Sequence, residues 1–198
     1  LFLNMSATYS DYDFSFVGQQ EEFSFGFNSG IEDWSYKTSL SYYPSPRHKV
    51  ITGVDYVFHE FMPTDYFAQN GDTPIDIGIS GVTFSHETAL YIEDKFDLNE
   101  NIRISAGIRY SDFRHVGPFT RYGQDYTEPD SINYGKGELV KRYGGWEPRL
   151  SMRVTTGTNS SIKAGYSENY QYVHLASLSA STAPTDVWVP SSDVVKPQ

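Results

Sequence analysis

An all-β chain is expected, an antiparallel meander of about eight strands, on three observations. Apolar and polar residues alternate with period two in segment after segment. The clearest case is Trp146, Pro148, Leu150, Met152 and Val154 set against Glu147, Arg149, Ser151 and Arg153. Aromatic residues make up 16% of the chain, with 16 Tyr and 13 Phe, which suits pleated, half-buried surfaces. No segment holds a helical period over three turns.

The elements follow in order. Leu1, Leu3, Met5, Ala7 and Tyr9 form one apolar row, and the parity then switches to Tyr12, Phe14 and Phe16. Such a switch predicts a bulge or bend between Ser10 and Tyr12. Gly18-Gln19-Gln20 reads as a turn, Phe23 to Phe27 as a short strand, and Asn28 to Asp33 as another turn. Trp34 to Tyr42 alternates again until Pro44-Ser45-Pro46, where neither proline can donate to a ladder. Val50 to Phe58 is the next strand. Phe61 to Ser85, rich in Gly, Pro, Asp and Asn, is expected as a loop with a short ordered piece near Ile75 to Ile79. His86 to Phe96 is a strand of ambiguous facing, because Ala89 and Tyr91 compete with Leu90 and Ile92. After the turn Leu98 to Asn101, Ile102 to Tyr110 alternates most cleanly. His115 to Gly145 reads as a second long loop. Trp146 to Tyr172 is a hairpin turning at Gly157 to Ser160, and Val173 to Gln198 is irregular.

Composition narrows the function classes. The net charge of -10 disfavours nucleic acid, whose phosphates need a basic surface. With no cysteine there is neither a disulfide framework nor a thiolate metal site. No run of eighteen apolar residues supports a transmembrane helix. Mean hydropathy of -0.48 leaves a membrane barrel open, since half of each barrel strand is polar. Leu1 begins inside a strand pattern with no basic leader, and the chain closes on an irregular tail. Residues 1–198 therefore read as one partial barrel domain cut from a longer protein.

A two-faced ribbon suits either a soluble sandwich or a membrane barrel. Three features favour the barrel. In meander order the short turns at Pro44 to Arg47, Asp97 to Asn101 and Thr156 to Ser160 share one end, and the long connections after Phe58, Ser111 and Tyr172 share the other. Ten residues from Trp146 to Thr155 extend roughly 33 Å, or about 25 Å of height at barrel tilt. Trp34, Tyr42, Tyr110, Trp146 and Tyr166 lie on apolar rows, several of them near strand ends, as an interfacial girdle would. The opposite rows carry Lys37, Asp55, Arg103, Arg109, Glu147, Arg149, Arg153 and Lys163. A narrow barrel would have to pair nearly all of these internally, so a wide barrel with water or a polar plug is expected.

Several segments resemble the C-terminal barrel of TonB-dependent outer-membrane receptors, nearest to the Bacteroidetes-type branch. They are Ala89 to Ser111 (ALYIEDKFDLNENIRISAGIRYS), Trp146 to Arg153 (WEPRLSMR), Ala164 to Ser177 (AGYSENYQYVHLAS), His48 to Thr64 and Trp188 to Gln198. The resemblance implies transport without catalysis or cofactor, in the outer membrane of a Gram-negative bacterium. The implied partners are a plug domain of the same protein, the inner-membrane TonB energy complex reached through an N-terminal region outside this sequence, the lipid bilayer, and a surface lipoprotein. The cargo it implies is a scarce nutrient: a ferric siderophore, a cobalamin or an oligosaccharide. A carbohydrate-binding β-sandwich and an outer-membrane barrel lipase are the alternative readings.

The candidate site residues follow from facing. Arg103, Arg109, Glu147, Arg149, Arg153 and Lys163 are expected to face the lumen and the plug. Tyr66, Phe67, Tyr122, Tyr126 and Tyr134 in the long connections are the candidates for stacking on substrate. No metal site is assigned. His48, His59, His86, His115 and His174 lack ligand spacing, although His59 and His86 flank one loop. Asp125, Glu128 and Asp130 read more simply as a solvated acidic loop than as a calcium site. Ser85-His86-Glu87 makes a poor triad, because strand neighbours point to opposite faces.

Overall fold

The computed structural model describes residues 1–71, 73–75, 81–122, 131–177 and 186–198, with backbone alone at residues 63–66, 74, 177 and 186. Its strands are β1 (Phe2–Gln20), β2 (Phe23–Ser45), β3 (His48–Asn70), β4 (Thr73–Ile75), β5 (Thr83–Asp97), β6 (Ile102–Val116), β7 (Phe119–Arg121), β8 (Ile132–Tyr134), β9 (Leu139–Gly157), β10 (Ser160–Ser167), β11 (Val173–Ser177) and β12 (Asp186–Pro190). Seven of them form one curled antiparallel meander in the order β1-β2-β3-β5-β6-β9-β10, with β4 attached to β3. β7–β8 and β11–β12 are separate two-stranded ribbons at the end of the sheet that carries the long connections.

The strands are longer than alternation suggested. β1 pairs with β2 without a register break from Phe2↔Ser41 to Gln20↔Phe23, so there is no bulge at Ser10 to Tyr12 in that pairing. Asn28 to Asp33 is strand interior rather than a turn. The actual turn is Glu21-Glu22, where Glu21 takes a left-handed φ of 55°. The parity switch has another cause. Tyr9 and Trp34 sit side by side, ring centroids 4.7 Å apart, where the outer row stops being apolar. Beyond them the outward row becomes Asp11, Asp13 and Glu32, and the apolar residues Tyr12, Phe14 and Phe16 move to the inner row. The strand runs straight on while the medium on its outer side changes. The expected loops at Phe61 to Ser85 and His115 to Gly145 likewise hold the extended ends of β3, β5, β6 and β9 together with β4, β7 and β8. Val173 to Gln198, expected to be irregular, contains β11 and β12. Of the ordered piece near Ile75 to Ile79, Ile75 ends β4 and residues 76–79 lie outside the described residues.

The facing of β5 is resolved by its neighbours. Val54↔Leu90↔Tyr110 and Thr52↔Ile92↔Ile108 put Leu90 and Ile92 on the apolar face, with Ala89 and Tyr91 inside. That face exposes Leu3, Met5, Trp34, Val54, Leu90, Ile108, Trp146, Leu150 and Ile162. Tyr110 and Trp146 form a second aromatic pair, centroids 4.9 Å apart. Following the register from Trp34 through Phe58, His86 and Arg114 reaches Arg142, so Trp146 lies four residues further along β9. Four residues at about 3.3 Å against four strand spacings of about 4.8 Å give a tilt of about 35°. That is the tilt of membrane barrels. From Trp34 to Tyr42 the apolar band is then roughly 22 Å high.

Register irregularities occur at Asn28/Gly30, Tyr42/Ser45, His115/Val116 and Ser160/Ser161. All four lie at or beyond the edges of the band. Within it every ladder is continuous.

The core lies on the inner face. Phe61, Ala89, Phe113, Ser85 and Ser111 are buried there, together with Tyr172 of the chain that follows β10. Tyr172 stacks flat on Phe113, centroids 5.0 Å apart. Gly145 has no side chain where the Tyr170 ring crosses it, and a Cβ at that position would strike the ring. Trp188 of β12 reaches Tyr12 of β1, edge to face at 6.4 Å.

Leu150 lies midway along the band on β9 and is exposed on the apolar face. Leu150→Arg is expected to cost about 2–4 kcal/mol in a bilayer. Ser151→Arg, on the opposite face, should cost under about 1 kcal/mol. Urea unfolding of the full-length protein in lipid vesicles measures both.

Candidate functional site: the inner face and its mouth

Three zones line the inner face. The central zone is built on β3, β6 and β9, whose inner rows bring Asp55, Arg109, Glu147 and Arg149 together. Arg109 Nη1 donates to Asp55 Oδ2 at 2.5 Å, and Arg109 Nε lies 3.7 Å from Glu147 Oε2. Glu147, its side chain 5% exposed, also accepts from Ser111 Oγ at 2.7 Å and from Arg149 Nη2 at 3.3 Å. Ser111 Oγ is 2.7 Å from the Tyr172 hydroxyl. Glu147 thus holds two guanidinium groups and, through Ser111, the tail that covers them. Beside this, Asp33 Oδ1 lies 2.7 Å from His59 Nδ1, and Glu87 Oε2 lies 4.0 Å from His59 Nε2.

The second zone is the inner row at the short-turn end. Lys49, Lys95, Arg103, Arg153 and Lys163 share it with Glu93 and Asp97, five cations against two anions. Arg103 forks onto Asp97 through Nε at 2.6 Å and Nη2 at 3.0 Å. Lys95 is 3.8 Å from Glu93. Arg153 and Lys163, paired across β9 and β10, have no ion pair among the described residues. The balance leaves a basic rim.

The third zone is the mouth. Val82, Phe84, His115, Phe119, Tyr122 and Trp188 line much of a cavity of about 840 Å³ between β6, β7 and β12. His115 is buried, bonds Thr83 Oγ1 through Nε2 at 2.8 Å, and leaves Nδ1 without a partner among the described residues. Trp188 Nε1 is likewise without one. Burial lowers the His115 pKa to about 4. The tail is moored by Tyr143, whose hydroxyl donates to the Ser192 carbonyl at 2.7 Å, and by Lys141 and Arg121 on Asp193. That contact raises the Lys141 pKa and lowers that of Asp193.

The expected lumen residues therefore fall into two groups. Arg109, Glu147 and Arg149 converge, whereas Arg103, Arg153 and Lys163 belong to the rim. Of the expected stacking residues, Tyr122 is an exposed wall of the mouth cavity, and Tyr134 lies on β8 opposite Phe119. Phe67 instead covers Gly26 within the sheet. Tyr66 pairs with Phe27 in the ladder, and its side chain lies outside the described residues, as does all of Tyr126. The acidic trio Asp125, Glu128 and Asp130 is also outside them. His59 and His86 do not meet. Phe58↔His86 and His59↔Ser85 place them on opposite faces. Sequence reading missed Phe119, Trp188, His115 and Tyr172. No local spacing marks the first three, but Tyr172 closes the SENYQY run, whose tyrosines could have signalled a docked tail.

A tilted meander with a continuous apolar band, an aromatic boundary and a charged inner face defines a segment of a transmembrane β-barrel. The TonB-dependent receptor-like β-barrel family model matches residues 1–193, and the chain belongs to that family. No curated protein and no solved structure matches the chain.

Two expected outcomes follow from the central and mouth zones. Glu147→Ala leaves Arg109 without one of its carboxylates and Ser111 without its acceptor, and should cost about 3–5 kcal/mol. Glu147→Gln, which keeps the Ser111 bond, should cost less. Thermal unfolding of the full-length protein in detergent ranks them. For His115, the unfolded chain takes up a proton near the ordinary histidine pKa, before the folded one does. Its stabilisation is complete above pH about 6.5 and is lost as pH falls toward about 4, on the order of 3 kcal/mol in all. Hydrogen exchange of β7 and β12 should therefore quicken across that window, and His115→Gln should flatten the response.

Proposed function

We propose that this chain is barrel wall of a receptor that takes up a scarce nutrient across the outer membrane, with energy passed to it by the TonB complex. The family is one of outer-membrane receptors and transporters. On this reading the free edges of β1 and β10 pair with further strands, and the inner face encloses a plug domain. The observation that carries it is the charged inner row. Its basic rim, Arg103, Arg153 and Lys163 with Lys49 and Lys95, suits an acidic plug surface at the periplasmic end. Arg109 and Arg149 are held by Glu147 and Asp55, and so brace the wall against which the plug turns.

The mouth cavity is the candidate for first contact with cargo. Aromatic walls offer faces for stacking. Ferric chelates, cobalamins and oligosaccharides all present such surfaces. A surface lipoprotein closing over this mouth belongs to the same proposal.

Arg153→Glu/Lys163→Glu in the full-length protein is expected to lower energised uptake several-fold while heat-modifiable migration, the mark of a closed barrel, stays unchanged. Uptake and migration both unchanged would remove the rim from the plug contact. Tyr122→Ala/Phe119→Ala should weaken cargo binding without altering either the migration or the TonB requirement.

A further inference from the structure

The outer face carries charge just above the aromatic boundary, and no part of the transport reading uses it. Arg114 and Arg142 lie directly opposite each other on β6 and β9, both facing outward. Two like charges opposed across a ladder repel each other unless an anion lies between them. Asp112 supplies one carboxylate: Oδ2 accepts from Arg114 Nε at 2.7 Å and Oδ1 from Arg142 Nε at 2.5 Å. Its side chain is 12% exposed, while the two arginines are 53% and 54% exposed. Both arginines bond through Nε alone, so the four N–H bonds of each Nη pair have no polar partner among the described residues. One positive charge is left over.

Arg114 and Arg142 border an open depression of about 530 Å³ whose other walls include Tyr56, His86, Thr88, Val116 and Leu139. The His86 ring is tied back, Nδ1 to the Tyr56 hydroxyl at 2.7 Å. The depression lies about 11 Å above the Tyr110–Trp146 pair, four residues further along β6 at the tilt found above. That is headgroup height beside an apolar band, within reach of a flexible arginine. The positive patch is local. On the β1–β3 side the outer face just above Trp34 bears instead the acidic ladder Asp11↔Glu32↔Glu60.

We propose that this depression grips a phosphate of an outer-leaflet lipid headgroup, held by the free Nη groups of Arg114 and Arg142, with Asp112 as their fixed spacer. Forked guanidinium groups match phosphate oxygens, and a carboxylate shared between two Nε atoms sets the fork facing outward. Acyl chains of the same lipid then lie on the apolar band below.

The inference rests on the barrel reading, which heat-modifiable migration of the full-length protein reports independently. The test measures binding of the purified full-length protein in detergent to phosphorylated lipid A, to its dephosphorylated form and to inorganic phosphate. Wild type should prefer the phosphorylated lipid to both others. Arg114→Gln/Arg142→Gln should weaken that binding about tenfold or more, at unchanged migration. Asp112→Asn, which releases the second guanidinium charge, should tighten it several-fold and decides the matter if the double variant fails to fold. Equal binding of phosphorylated and dephosphorylated lipid overturns the proposal. So does a folded double variant that binds as wild type, or an Asp112→Asn variant that binds no more tightly. Inorganic phosphate bound as tightly as the lipid would make this an ion site and overturn the lipid assignment.

Discussion

In hydrocarbon no water satisfies a backbone N–H or C=O, so every ladder that crosses the apolar band must be complete. The rest of this structure depends on that constraint. It explains why the four register irregularities stand at or outside the edges of the band. It also explains why the band can be recognised by its continuity as well as its composition. With register fixed, period two assigns every side chain to lipid or lumen, and a slip by one residue would exchange Leu150 for Arg149.

The inner face separates its charges by height. Midway, carboxylates and guanidinium groups neutralise each other around Glu147 and are shielded by Tyr170 and Tyr172. At the short-turn end cations outnumber anions and remain accessible. The middle therefore stabilises the wall, whereas the rim retains an excess of positive charge. Near the mouth burial replaces charge. His115 is kept neutral there by desolvation, and Phe113 and Tyr172 stack flat.

Much of the fold was legible in the residues because lipid and lumen enforce strict alternation between the aromatic boundaries. Ile102 to Tyr110 and Trp146 to Val154 have the facing their pattern implied. Legibility failed where the outer side of a strand passes from lipid to water. There Asp11 and Tyr12 exchange roles without any change in the backbone, and a straight strand imitates a bend. The same effect made Asn28 to Asp33 resemble a turn and shortened β3, β5, β6 and β9. Part of the site was legible for a related reason. Arg109, Glu147 and Arg149 share one parity, but parity could not tell them from Arg103, Arg153 and Lys163, which only the register sets at another height. The mouth cavity depends on β7 and β12 meeting across a long stretch of chain, and no local pattern encodes that.

The connections also bear on the order in which the wall assembles. β1 to β2, β2 to β3, β5 to β6 and β9 to β10 are joined by short turns, so each pair can zip from its hairpin at little loop entropy. Between β6 and β9 the chain runs from Gly117 to Glu138 and forms a ribbon of its own before returning. The seam between β6 and β9 is therefore the costliest non-local pairing in the meander, and Arg109–Glu147, Ser111–Glu147 and Asp112–Arg142 all span it. Side-chain contacts inside the finished wall thus double as clasps joining two separately nucleated parts of the sheet.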